Sequence, residues 1–165
     1  MKQSKRRKPD ADEARDPARV RAVALRLLAR REHSTQELTD KLTARGYEQQ
    51  TVAAVMKALM DRNLLSDGRF VDEFVASRLR RGSGPVKIRN ELRSRGVADF
   101  LVDAALSESR SEWLTNAEMV RRKRFGEPLP RDFSERAKQA RFLQQRGFSA
   151  EHIRQVLKGD VEFED

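Results

Sequence analysis

Cysteine is absent from the 165 residues, which excludes disulfides, a thiolate metal site and a cysteine nucleophile. Aromatic residues are scarce at 6%, and the chain has only eight glycines and five prolines. An all-β fold draws on turn residues and ring-rich strands, so it is not expected. No long apolar run occurs, which leaves neither a membrane span nor the apolar stretch of a secretory leader. A soluble cytoplasmic protein is the expectation. Apolar residues make up 38% and charged residues 37%, a balance suited to a thin helical array in which most positions see water. The formal charge of +9 and a pI near 10.4 suggest a polyanionic partner, nucleic acid first. The plainer reading is a charge kept for solubility.

What the chain does contain is a phrase that returns three times: Leu42-Thr43-Ala44-Arg45-Gly46-Tyr47, Leu92-Arg93-Ser94-Arg95-Gly96-Val97 and Leu143-Gln144-Gln145-Arg146-Gly147-Phe148. A period near 50 residues marks a repeat architecture. Each phrase reads as a helix C-terminus. The Leu is the last core contact, the Arg sits in the final turn, the Gly takes a left-handed conformation, and the next apolar residue packs back. Val20, Val23, Ala24, Leu27 and Leu28 follow the helical i, i+3, i+4, i+7 pattern, as do Val52, Val55, Met56, Leu59 and Met60. Between them Ser34 and Glu37 form a capping-box signature, placing three helices near 18–32, 35–45 and 49–63.

The same plan recurs with Phe70, Val71, Phe74 and Val75, then Pro85, Ile88 and Leu92, then Leu101, Val102 and Leu106. It recurs again from Trp113, interrupted by a loop at 126–130. The expected fold is all-α, an elongated array of three tandem three-helix repeats at 18–65, 66–108 and 109–158. Residues 1–17 lack periodic apolar positions and are read as a disordered arm. Residues 159–165 are read as an acidic tail that solvates the terminus, or competes with an anionic ligand for a basic face.

Nothing in the chain announces catalysis. The two histidines, His33 and His152, stand apart and read as helix-cap or surface residues. Gly82-Ser83-Gly84-Pro85 is read as a tight inter-helix turn, with a phosphate site at the following helix start as the alternative. Asp61, Asp72 and Glu73 read as ion-pairing partners on solvated faces. No catalytic, metal-binding or cofactor-binding residue is assigned. The positive charge, by contrast, is concentrated in Arg78, Arg80, Arg81, Lys87, Arg89, Arg93 and Arg95, and again in Arg121, Arg122, Lys123 and Arg124. Guanidiniums grip phosphate or carboxylate in bidentate fashion, so these eleven are the candidate contacts to DNA or an acidic protein groove. The consecutive basics at 121–124 wrap most of a helix, so one or two of them must flank the core. Single-strand binders add stacking rings to such a groove, and here the rings fall mostly at core positions.

Several motifs carry a family resemblance. They are Leu64-Leu65-Ser66-Asp67-Gly68-Arg69-Phe70-Val71, Phe74-Val75 with Arg78, and Gly82-Ser83-Gly84-Pro85 with Ile88, Glu91, Leu92 and Gly96. Arg124-Phe125-Gly126 and Lys138 with Arg141-Phe142-Leu143 and Arg146-Gly147-Phe148 complete the set. Taken in this order, over about residues 18–158, they resemble RecX regulators of the RecA recombinase. Ser66 and Val71 depart mildly from the family pattern, and the N-terminal arm is additional to it. The resemblance implies a cytoplasmic helical-repeat protein acting in DNA recombination, repair and the SOS response; the array shape suggests a monomer, and the residues give no sign of catalysis. It would bind RecA and its filament on single-stranded DNA and hinder filament extension, so that strand exchange, ATP hydrolysis and co-protease activity fall. The cationic clusters would then meet RecA acidic groups or exposed phosphates. The alternative is a helical transcriptional or architectural protein acting on DNA directly.

Overall fold

The computed structural model describes residues 8–158, and these contain ten α-helices and no strand. In order they are α1 (Ala11–Arg15), α2 (Pro17–Leu28), α3 (Thr35–Thr43), α4 (Gln49–Asp61), α5 (Asp67–Arg80), α6 (Pro85–Arg93), α7 (Asp99–Glu108), α8 (Glu112–Phe125), α9 (Phe133–Gln145) and α10 (Ala150–Lys158). The chain divides into two compact units. One runs to Val71 and includes Arg95–Val97; the other holds Asp72–Ser94 and the residues from Ala98 onward. The division falls inside α5, so compactness does not follow the sequence period.

In the first unit α2, α3 and α4 pack together because each carries an apolar stripe at helical spacing. Val20, Ala24, Leu38, Leu42, Val52 and Leu59 are all fully buried there. The repeated phrase closes α3 as expected. Gly46 has φ 95°, and the Tyr47 N–H donates to the Leu42 carbonyl at 3.3 Å, a Schellman closure. Ser34 caps α3, accepting from the Glu37 N–H at 3.0 Å. The reciprocal half of the expected capping box is not made, because the Glu37 carboxylate is drawn off by Arg31 at 3.1 Å and Arg95 at 3.2 Å. The Ser34 hydroxyl donates instead to the Arg95 carbonyl at 2.8 Å. One residue thus caps its own helix and holds the next repeat's Arg-Gly turn.

The N-terminal arm is corrected in part. Asp10 caps α1 through a complete capping box with Glu13, and the Ala14 carbonyl accepts from the Glu48 N–H at 3.0 Å. Pro9 lies 3.4 Å from where a Cβ on Gly46 would stand. So short a helix is held by its cap and by backbone docking, and needs no apolar stripe to betray it. The rest of the expected arm, residues 1–7, and the acidic tail at 159–165 lie outside the described residues.

In the second unit the Gly82–Pro85 segment is a docking turn. The Gly84 N–H donates to the Arg146 carbonyl at 2.8 Å and the Val86 N–H to the Gly147 carbonyl at 3.0 Å. These amides, which would have served a phosphate, are therefore occupied. The approach demands glycine on both sides: a Cβ on Gly84 would lie 2.3 Å from the Gly147 oxygen, and one on Gly147 would lie 2.3 Å from the Lys87 Cβ. The arrangement answers the one around Ser34, where a Cβ on Gly96 would lie 2.7 Å from the Gln36 Cβ. In both units the start of a repeat's second helix receives the Arg-Gly turn of the following repeat. The third repeat's own second helix, α9, has 13 residues where α3 and α6 have 9, and its first residue, Phe133, is exposed.

Candidate partner-binding surface

The eleven candidate cations divide into three groups. Arg121 is the exception that the four consecutive basics required. It is 2% exposed, on the inner side of α8, and its guanidinium donates to the carbonyls of Glu127 and Pro128 at 3.0 and 3.1 Å. It anchors the loop after α8 and is corrected from contact residue to structural residue. The physical reason is that the loop turns its carbonyls inward and only a long donor can reach them.

A second group is engaged by carboxylates. Arg78 meets Glu91 at 2.7 Å and covers the Phe74 ring at 4.4 Å. Arg89 pairs with Asp103, Arg93 with Asp99 at 2.7 Å, and Arg122 with Glu118 and Glu127. Arg95, in the first unit, binds Glu37. The Arg93 pair shifts both partners, since the shared hydrogen bond raises the guanidinium and lowers the Asp99 carboxyl. Arg89 and Arg93 therefore tie α6 to α7, and their charge is largely answered within the protein.

The third group, Arg80, Arg81, Lys87, Lys123 and Arg124, is exposed and meets no carboxylate among the described residues. Its members mark the ends of α5 and α8 and the first turn of α6. All five belong to the second unit.

The histidines behave differently from the expectation of cap or surface. His33 is 2% exposed, with Nδ1 3.0 Å from the Arg31 carbonyl and Nε2 2.9 Å from Lys41 Nζ. Burial lowers the His33 imidazole and, for the same reason, the Lys41 amine. His152 is half-buried beside the Phe148 ring and is likewise lowered by burial. Among the described residues no cluster of three or more His, Asp or Glu side chains could hold a metal ion, and no helix is long and apolar enough to cross a membrane. The rings are not all at core positions, since Phe100 and Phe133 are exposed.

Comparison with known proteins aligns three family models along the chain: the RecX first three-helix domain at residues 21–59, the second at 66–106 and the third at 111–157. The chain is 50% identical over 135 residues to the Regulatory protein RecX of Halorhodospira halophila, covering 82% of this chain and 84% of that protein. It is 45% identical over 140 residues to the Regulatory protein RecX of Pseudomonas fluorescens, covering 85% and 90%. Among solved structures, the crystal structure of RecX from Lactobacillus salivarius superposes with a TM-score of 0.75 at 19% identity, covering 90% of this chain and 97% of that one. A second crystal structure of regulatory protein RecX gives 0.75 at 21% identity, covering 86% and 72%. The all-helical plan of three tandem three-helix domains is thus shared in sequence and in fold, and the chain belongs to the RecX family of regulatory proteins.

Proposed function

We propose that this protein is a cytoplasmic, non-enzymatic regulator of the RecA recombinase, which binds RecA and its filament on single-stranded DNA and inhibits filament extension. Strand exchange, ATP hydrolysis and co-protease activity would fall as consequences, within recombination, repair and the SOS response. The observation that carries the reading is family membership, joined to a group of exposed cations that meet no carboxylate among the described residues. Arg80, Arg81, Lys87, Lys123 and Arg124 offer the guanidinium and ammonium donors that acidic side chains or phosphates accept. Arg89 and Arg93, bound to Asp103 and Asp99, are weaker candidates, because recruiting them would first break the α6–α7 ties.

The test is ATP hydrolysis by the cognate RecA on single-stranded DNA, with this protein added at less than one copy per RecA. A progressive loss of turnover is the expected result. Unchanged hydrolysis, together with tight and salt-sensitive binding to bare duplex, would support direct action on DNA instead.

A further inference from the structure

We propose that the first unit carries a separate nucleic-acid site, a cleft beside α2 that holds the phosphodiester backbone of a single strand without regard to sequence. From residue 17 to residue 31 the chain has Arg19, Arg21, Arg26, Arg30 and Arg31 and no acidic residue. The fold turns three of these, Arg19, Arg26 and Arg30, toward one cleft of about 650 Å³, where Lys8 and Arg45 join them. Among the described residues no acidic side chain lines it. Arg19 shares its charge with Glu13 at 2.7 Å. Arg26 and Arg30 are exposed and meet no carboxylate among the described residues; Arg26 uses only its Nε, on the Ala22 carbonyl at 3.2 Å.

The spacing defines the ligand. Arg19 and Arg26 stand seven residues apart on one edge of α2, roughly 10 Å at 1.5 Å per residue, and Arg30 follows in the turn just past the end of that helix. Val23 and Leu27, half-buried, floor the cleft between them. A row of this kind is satisfied by a polymer with an anion on every unit, in any register. A compact acidic patch would leave part of it unanswered. Among the described residues no exposed ring lines the cleft, since its Tyr47 is 9% exposed, so the contact is with backbone and carries no base preference.

The experiment uses the full chain and a fluorescein-labelled oligothymidylate, with binding followed by anisotropy across a salt series. The wild-type protein should bind with a steep negative salt slope. The Arg26→Gln/Arg30→Gln variant should bind about tenfold more weakly at low salt, and its slope should be shallower by about 1.4, since each lost single-strand phosphate contact contributes about 0.7. Both side chains face water, and circular dichroism checks that helicity is retained. The single Arg30→Gln variant, outside any helix, should show about half the change in slope. Unaltered affinity and slope in a folded variant would overturn the site, as would absence of wild-type binding. Equally tight binding of polyglutamate of the same charge would overturn the nucleic-acid assignment. Inhibition of RecA ATP hydrolysis, measured on the same variants, reads the proposed regulatory function independently of this site.

Discussion

The imidazole of His33 lies between the Arg31 carbonyl and the Lys41 ammonium. An ammonium can only donate, so Nε2 accepts and Nδ1 carries the hydrogen, which fixes a neutral ring in one tautomer. Burial penalises the charged ring, and the neighbouring Arg31 and Lys41 cations add to that, so the pKa lies below its ordinary value near 6.5. Because the folded pKa is the lower one, the stabilising contribution is complete above about pH 6.5 and is lost as pH falls through the folded value. Urea midpoints should therefore drop between pH 7.5 and 5 in the wild type. The drop should be smaller in His33→Gln, with His152 accounting for part of the remainder; an identical drop in both proteins would exclude the mechanism. Gly84 makes a second prediction at this scale. Its absent Cβ would meet the Gly147 carbonyl at 2.3 Å, and backbone cannot move aside as a side-chain tip can. Gly84→Ala should cost about 3 kcal/mol, the upper end of overpacking penalties, in a denaturant titration.

Among the elements, α8 shows how a cationic run is partitioned. Arg121, Arg122, Lys123 and Arg124 are consecutive, so 100° steps must carry one inward while the others face water. The inward one binds the carbonyls of Glu127 and Pro128 and so shapes the loop that joins α8 to α9. Arg121→Met keeps the aliphatic volume but removes those donors. It should cost about 2–3 kcal/mol and speed proteolysis within 126–132, measured on the folded protein by limited digestion. Digestion at the wild-type rate would mean the loop is held by other contacts. The 126–130 loop itself was legible from Gly126, Pro128 and Pro130, but its anchor was not, because which of four basics turns inward depends on the phase of α8 against its neighbours. Likewise α1 escaped a criterion built on apolar spacing, since its stability comes from the Asp10–Glu13 box and from Glu48.

For the molecule as a whole, the proposed regulation depends on charge that the fold leaves unanswered. Charge reversal at Arg80 and Lys123, both exposed and without a carboxylate partner among the described residues, should weaken inhibition of RecA ATP hydrolysis while leaving the circular dichroism spectrum unchanged. The effect should shrink as salt rises, because exposed charges are screened over about 10 Å at 0.1 M ionic strength. Full inhibition by the double variant would remove these two cations from the contact. Reversal at Arg89 or Arg93 is less informative, since it would set like charges against Asp103 and Asp99 and confound stability with binding.

The sequence by itself determined the helical class, the period and the glycine-closed helix ends, though not the end of α2, which stops at Leu28 rather than near 32. Those follow from local physics: apolar spacing within a helix, a left-handed glycine at Gly46, Gly96 and Gly147, and the neighbouring Leu that each turn folds back upon. Family motifs were equally legible because they lie in those same local phrases. Only the tertiary structure decided which charges are free. Arg89 and Asp103, 14 residues apart, or Arg95 and Glu37, 58 apart, pair because separate helices bring them together, and no local rule counts such partners. The cationic cleft beside α2 was missed for the converse reason. Its arginines are dispersed among apolar residues in the chain, and they converge only when the helix winds them onto one side and the Arg45 turn closes over them.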